Sequence, residues 1–355
     1  MNEISKAWRG LEPPGGVIEG SLKVSIANPY LMFLGDARDQ LAAKTADGVA
    51  KWRPEWCLGQ LRLEGCKADI GLTDMTLEEA AEAGVKTLIL GVANQGGFLP
   101  DNWIATLDKA LDLGMDIASG LHMRLTDLPE IAAKAERLGR QLFDARHPPR
   151  DFGVGKGKPR TGKRLLTVGT DVSVGKMFTS LSIEKEMKAR GMNVDFRATG
   201  QTGIFIAGNG VSVDAVVADF ISGATEWLSP DNDPDHWDII EGQGSLFHAS
   251  YAGVTLGLLH GSQPDVVVLS HDPNRPHMRG TPDIPMPDLQ ACIDANIAAG
   301  RLTNPDIRCI GVSVNTSALS DDEAARLLGD MEARLGLPCI DSFRHGAARL
   351  VDALS

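Results

Sequence analysis

The chain has 355 residues, of which 43% are hydrophobic and 23% are charged. This composition is typical of a folded globular protein and excludes a disordered one, and the length predicts two domains at roughly 150 residues each. Its 47 acidic and 35 basic side chains give a net charge of −12, which disfavours nucleic acid as a partner because phosphate backbones attract basic surfaces.

Apolar segments such as Thr87–Ala93 are far shorter than the ~20 residues that span a membrane, and the N-terminal sequence MNEISKAWRG lacks the apolar stretch of a secretory signal. The five cysteines form no CxxC pair, so we expect reduced thiols and neither disulfides nor a zinc site. These features predict a cytoplasmic enzyme with small-molecule substrates and no membrane partner. Because two-domain α/β proteins often associate, we also expect a homo-oligomer.

The N-terminal part alternates short apolar runs with helical patterns, which predicts a parallel sheet with helices on both faces. No topology is predicted for the first ~75 residues, where the pattern is irregular. Two segments that follow strands are interpreted mainly as architecture: Gly91–Gly97, which contains a glycine turn but lacks GxGxxG, and Ser119–His122, which is expected to face a cleft between domains. The predicted elements are the strands Thr87–Ala93 and Met115–Ser119 and the helices Trp103–Leu113 and Leu128–Leu138.

A change of composition between Arg146 and Arg164 predicts a domain boundary. This segment contains seven Lys or Arg, three prolines and four glycines, a density that is typical of a linker or an exposed loop. We therefore expect a Rossmann-like domain at 1–146, a basic linker at 147–163 and a second domain at 164–355. The alternative is a basic flap whose Lys156, Lys158 and Arg160 contact a phosphate-bearing ligand.

The second domain repeats the alternation of strands and helices, which again predicts an α/β fold with a largely parallel sheet. An apolar helix that ends near His260 is expected as well. The predicted strands are Arg164–Val168, Asn193–Arg197, Trp237–Ile240, Val266–Ser270, Arg308–Val314 and Cys339–Ile340, and the predicted helices are Lys176–Arg190, Val211–Ser222 and Asp321–Leu335.

The strongest local motif is a glycine-bounded loop between the first strand and the first helix of this domain. Its glycines permit tight turns that direct backbone N–H groups at an anion, and its lysine adds a positive charge at the start of the helix. Met177 stands where a phosphate loop normally carries a Ser or Thr hydroxyl for Mg²⁺, so no tightly bound metal is predicted. Thr179 and Asp171 are the alternative oxygen ligands. The residues expected to bind phosphate are Gly169, Thr170, Asp171, Val172, Ser173, Val174, Gly175 and Lys176.

Two segments of this domain resemble dethiobiotin synthetase. The loop fits the pattern GTDxxVGKT except at Met177, and Glu241, Gly242 and Gly244 align with its VEGAGG segment. The resemblance implies a P-loop NTPase-like fold. It also supports an alternative function, an ATP-dependent ligase or kinase, which Met177 opposes.

Polar residues follow other strands at the same predicted edge of the sheet, where open α/β sheets bind ligands. Glu241 ends one apolar strand, and Arg197 ends another. After the strand Val266–Ser270, a cluster combines His271, Asp272, Arg275, His277 and Arg279. Because guanidinium groups bind carboxylates through paired hydrogen bonds, these arginines predict an anionic substrate.

Over nearly its full length the chain resembles the D-glutamate N-acetyltransferase family. The resemblance rests on the segments GTDVSVGK, RATGQTG, IIEGQGSLFHASYAGVTLGLLHGSQPD and SHDPNRPHMRG. It implies acetyl transfer from acetyl-CoA to the amino group of D-glutamate, giving N-acetyl-D-glutamate in D-glutamate catabolism. A third possibility, from a different class of protein, is a regulator that binds a nucleotide without catalysis.

Acetyl transfer needs a base to deprotonate the amine and donors to stabilise the oxyanion. Glu241 or His248 is the expected base, and the backbone N–H groups of Gly244 and Ser245 are the expected oxyanion donors. The loop 169–176 is expected to hold the phosphates of CoA. The expected ligands of the substrate are Arg275, Arg279 and His271, with Arg197 in reserve.

Overall fold

The computed structural model describes residues 25–92 and 97–354. The predicted features at Ala93–Gly96, including the first glycine of the turn at Gly96-Gly97, lie outside the described residues. The remaining parts form two parallel sheets, each covered by helices, which confirms the predicted α/β fold class.

The first sheet has five parallel strands in the order β2-β1-β3-β4-β5. All six residues of the β1 sequence YLMFLG are buried, as expected for a central strand of a sheet covered on both faces. The strands are β1 (Tyr30–Gly35), β2 (Cys57–Arg62), β3 (Thr87–Leu90), β4 (Asp116–Ser119) and β5 (Leu142–Asp144), and the helices are α1 (Lys44–Trp52), α2 (Leu77–Glu82), α3 (Asp101–Asp112) and α4 (Pro129–Leu138).

The second sheet has six parallel strands in the order β11-β10-β9-β6-β8-β7. The strands are β6 (Lys163–Gly169), β7 (Val194–Arg197), β8 (Trp237–Ile240), β9 (Val266–His271), β10 (Arg308–Val314) and β11 (Cys339–Ile340). The helices are α5 (Lys176–Ala189), α6 (Gln201–Ala207), α7 (Ile221–Leu228), α8 (Ala252–Ser262), α9 (Leu289–Gly300), α10 (Asp321–Leu335), α11 (Ser342–His345) and α12 (Ala348–Asp352). Because β6 lies between β9 and β8, the loops after these three strands meet at one edge of the sheet.

The predicted helix at Val211–Ser222 is wrong. Two short 3₁₀ turns, Val213–Ala215 and Ala218–Phe220, occupy half of this segment, and α7 begins only at Ile221. The side chain of Ser212 donates a hydrogen bond to Asp214, a local contact of the kind that competes with helical hydrogen bonding. The helix α9 was not predicted either, because alanines surround its apolar stripe and weaken the contrast between its two sides.

Residues 147–162 of the predicted linker contain no helix or strand, whereas Lys163 is already the first residue of β6. Its Arg160 is not directed at the phosphate loop: the guanidinium donates hydrogen bonds to the carbonyl oxygens of Glu226, Gly261 and Ser262, which lie in the last turns of α7 and α8. This contact stabilises the ends of two helices, since the last carbonyls of a helix have no partner within it. Arg160 is therefore part of the packing of the second domain.

The two sheets share an apolar boundary, because Leu181 and Phe205 of the second domain are buried in the same core cluster as the first sheet. Arg53 makes an ion pair with the buried Glu184 of α5 at 3.0 Å. Among residues 25–92 and 97–354, no helix combines the length and the apolar character needed to cross a membrane.

Candidate functional site

The phosphate loop lies between β6 and α5, as the sequence predicts, and its backbone is tightly wound. Gly175 has φ +98°, and Ser173 has φ +54°, so both lie in the left-handed region that favours glycine. A Cβ atom at Gly169 would approach the Lys176 ammonium and the Asp171 carbonyl oxygen to 2.9 Å. These two glycines therefore allow the loop to close around its own lysine.

Lys176 is buried at the start of α5, and its Nζ donates a hydrogen bond to the carbonyl oxygen of Asp171 at 2.8 Å. Burial lowers the pKa of this ammonium to about 8, despite the opposing effect of the carboxylates of Asp171 and Glu241. A phosphate would supply the missing counter-charge, so the loop is suited to an anion.

The carboxylate of Asp171 is fully buried inside the loop and is surrounded by donors. Its Oδ1 accepts from the backbone N–H of Val172 at 2.7 Å. Its Oδ2 accepts from Nη1 of Arg275 at 3.0 Å and from the backbone N–H of Arg279 at 2.8 Å. Asp171 therefore ties the phosphate loop to the segment that follows β9.

The guanidinium of Arg275 donates most of its hydrogen bonds to the phosphate loop. Besides Asp171, it donates to the carbonyl oxygens of Val172 and Ser173 at 2.7 and 2.6 Å, and its Nε donates to Asp272 at 3.1 Å. The structure thus gives Arg275 a bracing contact, whereas the side chain of Arg279 is exposed. Binding of the substrate by either arginine stays a prediction.

Glu241 follows the last residue of β8 and is buried. Its Oε2 accepts from the backbone N–H groups of Thr199 and Gly200 at 3.0 and 3.2 Å, and its Oε1 accepts from Nε2 of Gln243 at 3.2 Å. Burial raises the pKa of Glu241 to about 7, although these hydrogen bonds and Lys176 act against the rise. A carboxyl group with such a pKa is suited to accept a proton near neutral pH.

Two glycines make the position of Glu241 possible. A Cβ at Gly203 of α6 would overlap the Oε2 atom of Glu241, and a Cβ at Gly242 would overlap the carbonyl oxygen of Thr167 in β6. Gly203, which lies in the segment RATGQTG, was not among the predicted site residues. A short spacing of glycines after a strand was the available signal.

His248 has a hydrogen bond at each ring nitrogen. Its Nδ1 accepts from the backbone N–H of Ser250 at 3.1 Å, so its Nε2 carries the proton and donates to the carbonyl oxygen of Arg279 at 2.9 Å. To act as a base, this ring must first give up the contact with Ser250. The geometry therefore favours Glu241 over His248 as the base.

Ser245 and His271 hold the phosphate loop from two sides. The Oγ of Ser245 donates to the carbonyl oxygen of Thr170 at 3.1 Å. The Oγ1 of Thr170 lies 3.0 Å from Nδ1 of His271, and burial lowers the pKa of this imidazole to about 4. His271 is accordingly neutral at physiological pH and contacts the loop by hydrogen bonding.

The guanidinium of Arg197 is paired with two aspartates of neighbouring strands rather than with the phosphate loop. Its Nε donates to the buried Asp238 at 2.6 Å, and its Nη2 lies 3.4 Å from Asp195. A guanidinium with two carboxylate partners already has its charge balanced. Its predicted contact with the substrate stays untested, and the structure supplies a packing role between β7 and β8.

A cavity of about 290 Å³ that no sequence motif predicts adjoins the phosphate loop. The rings of Phe178 and Phe343 form one wall, with their centroids 5.1 Å apart. Asn315, directly after β10, and Thr179 of α5 also line it. Residues from three separate segments, 174–179, 313–317 and 341–343, meet here, so local motifs could not reveal the cavity.

The phosphate loop follows a central strand of one parallel sheet, and a second parallel sheet packs beside it. This combination defines a two-domain P-loop protein. The chain belongs to the DUF1611 family. The family's P-loop domain, described as a domain of unknown function, matches residues 152–351, and its Rossmann-like N-terminal domain matches residues 61–148.

Two curated relatives, both named D-glutamate N-acetyltransferase, are similar to this chain over nearly the full length of each protein. The protein from Tritonibacter scottomollicae is 55% identical over 330 residues, which cover 93% of this chain and 99% of the relative. The protein from Pseudoalteromonas sp is 51% identical over 328 residues, which cover 92% and 99%. The resemblance inferred from the motifs is thereby confirmed.

A crystal structure of a DUF1611 family protein from Anabaena variabilis has the same fold. It is 31% identical to this chain, with a TM-score of 0.79, and the match covers 92% of this chain and 99% of that chain. The pairing of a Rossmann-like sheet with a P-loop sheet is therefore also found in a solved member of the family.

Proposed function

We propose that this protein is an N-acetyltransferase that transfers the acetyl group of acetyl-CoA to the amino group of D-glutamate, as a step of D-glutamate catabolism in the cytoplasm. The observation that carries the proposal is the 55% and 51% identity, over more than nine-tenths of the chain, to two proteins named D-glutamate N-acetyltransferase. The geometry of the phosphate loop and of Glu241 supports it.

Two features of the site support the proposed donor. The pyrophosphate of CoA would lie against the N-terminus of α5 and Lys176, where backbone N–H groups and an ammonium converge. The adjoining cavity of about 290 Å³ is at the lower end of ligand-pocket sizes, roughly 300–1,000 Å³, so it suits one part of the coenzyme. Phe178 and Phe343 offer ring faces on which the adenine can stack.

The proposed reaction begins with deprotonation of the ammonium group of the substrate. Glu241 takes that proton on Oε1, because Oε2 already accepts two backbone hydrogen bonds. The neutral amine then attacks the thioester carbonyl and the C–N bond forms. As the C–S bond breaks, the nitrogen loses its second proton to solvent, CoA leaves as the thiolate and takes a proton from solvent, and Glu241 later returns its own proton to solvent. The backbone N–H groups of Gly244 and Ser245 would stabilise the oxyanion.

The two carboxylates of the substrate need cationic partners. Because the guanidinium of Arg275 is engaged with the loop, the exposed Arg279 is the better candidate for this contact. We expect Arg279→Ala to raise the KM for D-glutamate about tenfold or more and to leave the KM for acetyl-CoA unchanged. Arg190→Ala, which removes an arginine at the far end of α5, is the matched control and should change neither.

The decisive experiment measures thiol release from acetyl-CoA with D-glutamate, with L-glutamate and without an amine. We expect release only with D-glutamate, together with an equal amount of N-acetylglutamate. Absence of release in all three reactions, combined with Mg²⁺-dependent ATP hydrolysis, would refute the proposal and favour the ligase or kinase. Binding of nucleotide without any turnover would favour a regulator.

A further inference from the structure

We infer that this phosphate loop binds its ligand without a divalent cation, and that Arg275 is the built-in cation that takes the metal's place beside Asp171. The identity of the ligand as CoA rests on the proposed function, whereas the independence from metal does not. P-loop folds commonly bind nucleotide phosphates together with Mg²⁺, and such an ion needs oxygen ligands from the protein.

The first ligand is missing from the sequence. A P-loop places a Ser or Thr hydroxyl on Mg²⁺ directly after the lysine, and this chain has Met177 there. Mg²⁺ is a hard cation that takes oxygen ligands in octahedral geometry, and a thioether sulfur does not replace one. Thr179, two residues later, is not a substitute, because it is buried and its hydroxyl donates to Ser313 and accepts from Ser270.

The second ligand is present but occupied. Asp171 is the single carboxylate of the loop, and both of its oxygens accept hydrogen bonds, one of them from Nη1 of Arg275 at 3.0 Å. A metal ion that bound Oδ2 of this carboxylate would have to displace the guanidinium. Glu241, the carboxylate after β8, likewise accepts two backbone N–H groups and the Gln243 amide. The residues present therefore do not fit a magnesium site.

Arg275 also fixes the tip of the phosphate loop. Its guanidinium donates hydrogen bonds to the carbonyl oxygens of Val172 and Ser173, which form the tip of the loop, and its charge balances that of Asp171. These contacts turn the carbonyl groups toward the guanidinium, and Ser173 keeps its left-handed conformation. With the charge of Asp171 balanced by Arg275, the charge of Lys176 is available for phosphate. Arg275 is therefore a positioning residue of the phosphate loop.

The first test compares binding in EDTA and in Mg²⁺. The full chain is titrated with CoA and, separately, with inorganic pyrophosphate in a calorimeter. We expect the Kd of each ligand to differ by less than about twofold between the two conditions. A Kd that is tenfold or more tighter in Mg²⁺ would overturn the inference.

The second test changes Arg275. We expect Arg275→Ala to weaken CoA binding at least about tenfold in EDTA, because it leaves a bare carboxylate beside the phosphates, and we expect Mg²⁺ to restore part of this loss by binding the freed Asp171. Arg275→Lys keeps the charge but not the forked donors, so its Kd should lie between the two. Arg190→Ala, which removes another arginine with two carboxylate partners, should bind like the natural chain.

The rescue by Mg²⁺ separates positioning from general damage, since a misfolded loop would not recover on addition of metal. Arg275→Ala that binds as tightly as the natural chain, or that stays equally weak in EDTA and Mg²⁺, would contradict the role of Arg275. The double variant Arg275→Ala with Met177→Thr regains a hydroxyl ligand, so it should show a larger response to Mg²⁺ than Arg275→Ala alone.

The outcomes distinguish this inference from the proposed function. Metal-independent binding of pyrophosphate without binding of CoA would refute acetyl transfer from CoA and support the inference. Binding of CoA only in Mg²⁺, with turnover of D-glutamate, would refute the inference and support acetyl transfer from CoA. Binding of neither ligand under any condition would refute both.

Discussion

Replacement of Glu241 by glutamine should stabilise the folded protein above neutral pH and remove most of its acyl transfer. The glutamine has the same shape as the protonated carboxyl group. Its carbonyl oxygen can accept from the backbone N–H groups of Thr199 and Gly200, and Gln243 can turn its amide so that its oxygen faces the new NH₂ group. The substitution therefore removes the charge and leaves the packing unchanged.

The magnitude follows from the pKa of Glu241, which burial raises from 4.5 to about 7. At about 1.36 kcal/mol per pH unit, holding the ionised form in the folded protein costs about 3 kcal/mol. Below pH 4.5 the carboxyl group is neutral in the folded and the unfolded states, and the cost is absent. It grows between pH 4.5 and 7, where only the unfolded state loses its proton, and is constant above pH 7.

Urea denaturation at pH 5 and pH 8 measures this cost as a difference in free energy of unfolding. We expect Glu241→Gln to exceed the natural chain by about 3 kcal/mol at pH 8 and by under about 1 kcal/mol at pH 5. Equal or lower stability of the variant at pH 8 would refute the claim that this carboxylate is held in a desolvated site.

The same variant tests the base. Loss of a general base lowers turnover by roughly 10²–10⁴-fold, and kcat/KM of the natural enzyme should rise with pH through about 7, as Glu241 loses its proton. An unchanged kcat in Glu241→Gln would assign the base to another residue. His248 would be the next candidate, at the expense of its hydrogen bond from Ser250.

Two further predictions concern the loop and the strand beside it. Because burial lowers the pKa of Lys176 to about 8, the affinity for acetyl-CoA should fall as pH rises above about 8. Calorimetry measures this affinity, and Lys176→Met should bind acetyl-CoA weakly at every pH. An affinity of the natural chain that does not change with pH would contradict the prediction. Gly242→Ala should lower the free energy of unfolding by about 3 kcal/mol, since its Cβ would overlap the backbone of β6. Gly329 lies on the exposed face of α10, where a Cβ has no neighbour within 4 Å, so Gly329→Ala should raise the free energy of unfolding by about 0.5–1 kcal/mol. Scanning calorimetry of both variants checks the pair, and equal melting temperatures would refute it.

The predicted elements that match the structure are those with a strong local signal. The phosphate loop was predicted between a strand and a helix, and the structure has β6 ending at Gly169 and α5 beginning at Lys176. Buried strands such as Val266–Ser270 follow from short apolar runs, because a parallel sheet covered on both faces needs them. The helix predicted at Val211–Ser222 failed because local turns compete for the same backbone.

The sequence by itself determined the fold class, the phosphate loop with its missing hydroxyl at Met177, and the polar residues at the ends of the strands. The predicted domain limits and the homo-oligomer stay predictions. Only the tertiary structure decided which of these residues act together. Arg275 and Asp171, 104 residues apart, form an ion pair inside the loop, and Phe178 and Phe343 meet across a cavity.

The physical reason is the range of the contacts. Glycine conformation, strand burial and a lysine at a helix start are fixed by a few neighbouring residues, so local patterns reveal them. The partner of a buried charge is fixed by the order of the strands, which brings the ends of β6, β8 and β9 together from distant parts of the chain. The sequence therefore predicts that Arg275 binds an anionic substrate, which stays a prediction, and the structure shows that the guanidinium is paired with Asp171.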